Sequence, residues 1–269
     1  MMMWMLRGAA ALVAGVVLAI GLPDPAPAAP AVPAVAGLPT ANPDRVAAYF
    51  AGLPNDRAWA LAMYAPMTIG NLDGAPIALR YAANARDGGF RYAGRQILAY
   101  QPGDDGRLIE VVGDLTSTTR IAVLVPGADT TLSDFDHGLG GVQRRAPAWQ
   151  ARQLLAASGP GTAVVAWLGY DTPKGIGRAA IRSEWADAGA DALVRFVDGP
   201  VVQCPRATVT VIGHSYGTVV LGHAASRLPA AVTDLIAIGS PGMDVSRASE
   251  LHTNARVWAG SDPTDWTLR

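Results

Sequence analysis

The chain has 269 residues, half of them hydrophobic and 16% charged, which is enough to bury one substantial core and excludes a disordered or fibrous protein. With 21 basic and 22 acidic residues the formal net charge is -1, so no field gathers phosphate backbones or anionic lipid, and no nucleic-acid partner is expected. A single cysteine, Cys204, rules out an intrachain disulfide and reads as a small, partly buried side chain; with no second cysteine or clustered histidine, no metal site is expected, and no cofactor is needed.

Residues 1–28 read as a secretory leader. Arg7 is the only charge ahead of an apolar run over 8–22, and Ala26-Pro27-Ala28 follows with small residues suited to cleavage after Ala28. The run is short for a membrane span, which takes about 20 apolar residues, so a retained signal anchor is the lesser alternative and the only membrane contact expected. An Ala/Pro-rich linker, 29–43, stays extended because it buries too little surface to offset the cost of ordering.

A helical N-terminal segment is expected over 44–94. Val46, Tyr49, Phe50 and Leu53 fall at helical spacing. A second helix starts near Asn55, carries Trp59, Leu61, Ala62 and Tyr64, and stops at Pro66. Gly70-Asn71-Leu72-Asp73-Gly74 reads as a turn before a third helix through Arg80, Tyr81 and Asn84.

From residue 95 to 269 the pattern changes to that of an α/β domain. Two short β-rich runs, 97–101 and 108–112, flank Pro102-Gly103-Asp104-Asp105-Gly106 and are expected to form an antiparallel hairpin. The runs 121–125, 162–168, 208–212, 235–238 and 256–259 are apolar without polar alternation, as in strands buried on both faces of a parallel sheet. Crossover helices are expected around 146–157, 178–196 and 217–228. Functional groups then collect at the carboxyl ends of the strands.

The run 208–212 leads straight into Gly213-His214-Ser215-Tyr216-Gly217 and on into an apolar helix. This strand-turn-helix setting distinguishes a nucleophile elbow from a chance Gly-Ser turn, and it makes Ser215 the candidate nucleophile. An acyl-transfer nucleophile needs donors aimed at the developing oxyanion. The Tyr216 N–H is one candidate, and the loop after 121–125 offers Gly127 or Ala128 as the other, although Pro126-Gly127 reads equally as a simple turn. Asp262, after the run 256–259, stands where the fold places its acid; Asp244, one strand earlier, is the alternative.

No histidine follows Asp262, although the chain order of the fold puts the base last. His214 neighbours the nucleophile and leaves the turn in another direction. His223 lies about 12 Å along the following helix at 1.5 Å per residue. His252 precedes a strand, and His137 sits in the loop after 121–125 as a solvated side chain or, at best, a distant candidate. The run 256–259 is also left as an apolar sheet edge, so a last strand and the base are both expected in a C-terminal continuation.

These blocks together resemble an actinobacterial α/β-hydrolase family of unknown function whose members are often secreted. Gly70-Asn71-Leu72-Asp73-Gly74, Ala83-Asn84, Gly113-Asp114-Leu115, Val123-Leu124-Val125-Pro126-Gly127, Ala166-Trp167-Leu168-Gly169-Tyr170-Asp171, the elbow and Gly239-Ser240-Pro241-Gly242 carry the resemblance. It implies a serine-hydrolase fold: a mostly parallel sheet with antiparallel first strands, a helical N-terminal segment and a C-terminal strand not present here. Tyr170 and Asp171, at the end of 162–168, are candidates to line the substrate site, with a packing Trp167 and a turn Asp171 as equal accounts of the block. The expected activity is secreted hydrolysis of a small-molecule ester or related acyl substrate. A non-catalytic binding protein on the same scaffold, or a peptidase, is the alternative.

Overall fold

A computed structural model describes residues 35, 37–40, 42–175 and 183–261. The leader, most of the linker, the first residues of the crossover helix expected at 178–196, and Asp262 lie outside the described residues.

The first helices are α1 (Pro43–Ala51), α2 (Asn55–Tyr64), α3 (Pro66–Gly70) and α4 (Ile77–Gly88). Asn42 caps α1 by accepting from the Arg45 N–H at 3.0 Å, and Pro43 occupies the first turn, where its missing N–H costs nothing. Pro66 ends α2 as expected but also opens α3, the same first-turn preference acting again. Val46, Phe50, Leu61, Ala62, Ile69, Leu79 and Ala83 form a core of their own among these helices.

The strands are β1 (Gln96–Gln101), β2 (Arg107–Val112), β3 (Arg120–Val125), β4 (Thr162–Leu168), β5 (Thr208–His214), β6 (Val232–Ile238) and β7 (Arg256–Gly260). They form one seven-stranded sheet in the order β1-β2-β4-β3-β5-β6-β7. Pairing is antiparallel for β1-β2 and β2-β4 and parallel for the rest. β6 begins at Val232, three residues before the apolar run. Thr233 and Asp234 break the run in sequence, yet Asp234 is accommodated because Arg256 and the Trp258 indole on β7 donate to its carboxylate at 2.9 and 2.8 Å.

The remaining helices are α5 (Asp134–His137), α6 (Pro147–Ala157), α7 (Ser183–Gln203) and α8 (Gly217–Ala224). Alternate strand residues divide between two apolar layers, as the two-residue period of a strand requires. Val123, Val125, Val165, Trp167, Val209 and Val211 pack with α7 and α8, whereas Val164, Ala166, Leu168 and Leu124 pack with α6. After β3 the chain places β4 on one side and β5 on the other, so the strand order reverses at β3. The crevice at such a reversal, outside the carboxyl ends of the strands, is where open α/β sheets bind ligands.

The N-terminal helices close the sheet at β1. Arg80 Nε donates to the Leu98 carbonyl at 2.9 Å, Asn84 Nδ2 to the Ile97 carbonyl at 3.0 Å, and Asn71 both donates to the Tyr100 carbonyl and accepts from the Tyr100 N–H. These side chains satisfy backbone groups that would otherwise make β1 a bare edge. Gln203, at the end of α7, ties the same helices down by donating to the Gly74 and Ala75 carbonyls at 2.9 Å. Half-buried Cys204 donates to the Leu115 carbonyl at 3.1 Å, and burial raises its thiol pKa, which makes it a packing residue.

Candidate active site

Ser215 stands between the last residue of β5 and the first of α8 with φ of +52°, a left-handed conformation that strains a residue carrying a Cβ. Its backbone is held on both sides: the N–H donates to the Ile238 carbonyl at the end of β6, and the carbonyl accepts from the Thr218 N–H, both at 3.0 Å. Thr218 Oγ1 reinforces the turn by donating to the same Ser215 carbonyl at 2.8 Å and lies 2.7 Å from Ser240 Oγ. The flanking glycines are required by close approach. A Cβ on Gly213 would come 2.7 Å from the Gly217 carbonyl oxygen, and one on Gly217 would come 2.5 Å from that of Val125. Strand, turn and helix therefore pass one another at backbone contact, which turns the half-exposed Ser215 side chain out at the sheet edge.

The loop after β3 lies directly against the elbow. A Cβ on Gly127 would sit 2.7 Å from Ser215 Cβ and 3.2 Å from Ser215 Oγ. The Asp129 N–H is committed to the Pro173 carbonyl at 2.9 Å, which leaves Gly127 and Ala128 as the donors this loop can offer. Tyr170, one of the two candidates for lining the substrate site, is buried and donates from its hydroxyl to the Pro126 carbonyl at 2.7 Å, with burial raising its pKa. It stacks on Trp167 at 5.7 Å between centroids and braces the loop from below. Asp171 turns to Arg107 on β2 instead, at 2.8 Å.

Gly127→Ala is a direct probe of this packing. The added methyl has to displace Ser215 Cβ, and a displacement of about 1 Å costs roughly 100-fold in reactivity. Steady-state kinetics of any turnover Ser215 supports should fall by that order while the melting temperature moves little.

The titratable residues divide as follows. Asp244, the alternative acid, has a left-handed φ of +58°, and its carboxylate lies 3.0 Å from His223 Nε2. The other His223 nitrogen, Nδ1, lies 2.7 Å from Asp187 on α7, a partner that nothing in the sequence signalled. His223 is thus committed to two carboxylates. His137 closes α5 on the exposed surface, and His252, at φ of +48°, precedes β7 at the amino end of the strand. His214 ends β5 with its side chain exposed. Among the described residues, no group of three or more His, Cys, Asp or Glu is placed to hold a metal ion, and no helix is long and apolar enough to cross a membrane. Beside the edge, on the α6 face, an apolar pocket of about 250 Å³ is lined by Pro126, Pro147, Leu154, Ile212 and Ile238.

Comparison with known proteins gives a family match: the model of an alpha/beta hydrolase family matches residues 101–269. The chain is 32% identical over 146 residues to the uncharacterized protein Rv0963c of Mycobacterium tuberculosis, covering 52% of this chain and 54% of that protein. It is 29% identical over 183 residues to the uncharacterized protein Rv2079 of the same species, covering 63% of this chain and 27% of that protein. The chain spans about half the length of the first of these relatives. Among solved structures it is similar to XC6422 from Xanthomonas campestris, described as an a/b serine hydrolase without lid, at 20% identity and a TM-score of 0.40 over 63% of this chain and 71% of that one. It is also similar to a dienelactone hydrolase from Anabaena variabilis, at 17% identity and a TM-score of 0.39 over 62% of this chain and 86% of that one.

Proposed function

We propose that this chain, which belongs to the alpha/beta hydrolase family and has its fold, is a serine hydrolase of carboxyl esters or related acyl compounds, with Ser215 as nucleophile. The observation that carries this reading is the left-handed Ser215 between β5 and α8 with the Gly127 loop packed against its Oγ. Ser215 Oγ attacks the substrate carbonyl carbon as its proton passes to a base, and the carbonyl oxygen becomes an oxyanion. The Tyr216 N–H, at the positive end of α8, and the Gly127 or Ala128 N–H face that charge. Collapse of the intermediate expels the alcohol, which takes up a proton, and water then releases the acid from the acylated serine. The apolar pocket on the α6 face suits the hydrocarbon part of an acyl group better than a charged one.

Asp262 is assigned the orienting acid. His223, bound to two carboxylates, is not assigned the base. The leader reading places the protein outside the cytoplasm. Hydrolysis of p-nitrophenyl butyrate tests the proposal: turnover above background that Ser215→Ala removes supports it, and turnover unchanged by Ser215→Ala refutes it.

A further inference from the structure

His223 is bonded at both ring nitrogens, and the proposed chemistry does not use it. Its ring is largely buried, 15% exposed, between Asp187 of α7 and Asp244 of the loop after β6. Nδ1 lies 2.7 Å from the Asp187 carboxylate and Nε2 3.0 Å from that of Asp244, so the ring bridges the two as a two-ended clasp. One turn further along, Arg227 in the 3₁₀ turn that follows α8 pairs with Asp191, so His223 and Arg227 face Asp187 and Asp191 on α7.

The clasp reaches the elbow by two routes. The loop from β6 to Asp244 lies flush on α8, because a Cβ on Gly222 would overlap the Met243 carbonyl, and Thr218 Oγ1 lies 2.8 Å from both the Gly242 and the Ser215 carbonyl oxygens, which share its one proton. Tyr216 is the second route. Its ring is buried, and its hydroxyl pKa is raised first by burial and further by the charges of Asp187 and Asp244, against a bond from the Ala186 backbone N–H. That bond ties the Tyr216 hydroxyl to α7 one residue before Asp187, while the backbone N–H of the same residue is the assigned oxyanion donor.

We propose that His223 is a positioning residue: by clasping Asp187 and Asp244 it holds the Tyr216 side chain and the β6 loop in the one arrangement that aims the elbow. The proposal rests on the assignment of Ser215 as nucleophile. Both carboxylates are well exposed, at 62% and 68%, so the pairs add little to global stability, and their effect is local.

The test is the rate at which an ethyl fluorophosphonate labels Ser215, where the Oγ–P bond forms as the P–F bond breaks and fluoride and a proton leave. His223→Ala should lower the first-order labelling constant about 10- to 100-fold, in line with the cost of a misaimed reacting group, with the half-saturating probe concentration within about twofold and the melting temperature little changed. Asp244→Asn keeps an acceptor oxygen and tolerates the left-handed backbone, so it should retain most of the rate, whereas Asp244→Ala should not. Arg227→Ala removes the pair with Asp191 and a 3.3 Å bond to the His223 carbonyl but leaves the His223 ring, its two carboxylates and the loop in place, and should leave labelling unchanged. Equal losses in Arg227→Ala and His223→Ala, or an unchanged rate in His223→Ala, overturn the positioning role. A wild-type chain that is folded yet unlabelled overturns the nucleophile assignment first, and this inference with it.

Discussion

Replacing Ser215 by alanine is expected to remove all serine-dependent ester turnover, the largest functional effect any single substitution in this chain should have. In a serine hydrolase, loss of the nucleophile costs up to about 10⁶-fold in kcat. The elbow adds a second expectation of opposite sign. Ser215 carries the strain of φ +52°, held in place by the Ile238 carbonyl, the Thr218 N–H and the packing of Gly213 against Gly217. Ser215→Gly removes that strain along with the nucleophile and should stabilise the fold by about 1 kcal/mol, whereas Ser215→Ala keeps the strain and should be close to neutral. Chemical denaturation of the three proteins, read beside their turnover, separates the two effects. A glycine variant no more stable than the alanine variant would contradict the strained-elbow geometry.

Arg80→Ala should have the largest effect on stability. Arg80 is buried at 2% exposure, pairs with Asp73 at 3.1 Å, and donates to the Leu98 carbonyl of β1. Burial lowers its pKa, and the adjacent Asp73 charge opposes that shift. Removing the guanidinium leaves a largely buried carboxylate with only the more exposed Arg195, 3.3 Å away, and leaves the β1 carbonyl without its donor. Breaking one partner of a buried pair typically costs about 3–5 kcal/mol. Urea denaturation should show a loss of that size; a loss under about 1 kcal/mol would mean that β1 and the N-terminal helices do not depend on this bond.

The contrast between these two sites explains what the amino-acid sequence shows and what it hides. The elbow is legible because its causes are local: a buried strand, small residues two positions either side of Ser215, and an apolar helix all occur within twenty residues of each other. The parallel strands are legible for the same reason, each being a short apolar run. The role of Gly70-Asn71-Leu72-Asp73-Gly74 is not, because a turn motif does not reveal that Asn71 bonds Tyr100, 29 residues away, or that Arg80 and Asn84 bond strand carbonyls. The start of β6 is hidden by Asp234, whose acceptors are filled from β7. Distance along a helix separates His223 from Ser215, but it cannot supply Asp187, 36 residues earlier in the chain. Tyr170 looks like a substrate-lining residue at a strand end, and only the tertiary contact with Pro126 makes it a brace.

The most direct measurement is site identification with a fluorophosphonate probe on the folded wild-type chain, followed by peptide mass spectrometry. Labelling on the peptide containing Ser215, absent in Ser215→Ala, is the predicted result. A folded protein that takes up no label, or takes it up at another serine, would contradict the assignment of Ser215 as the nucleophile.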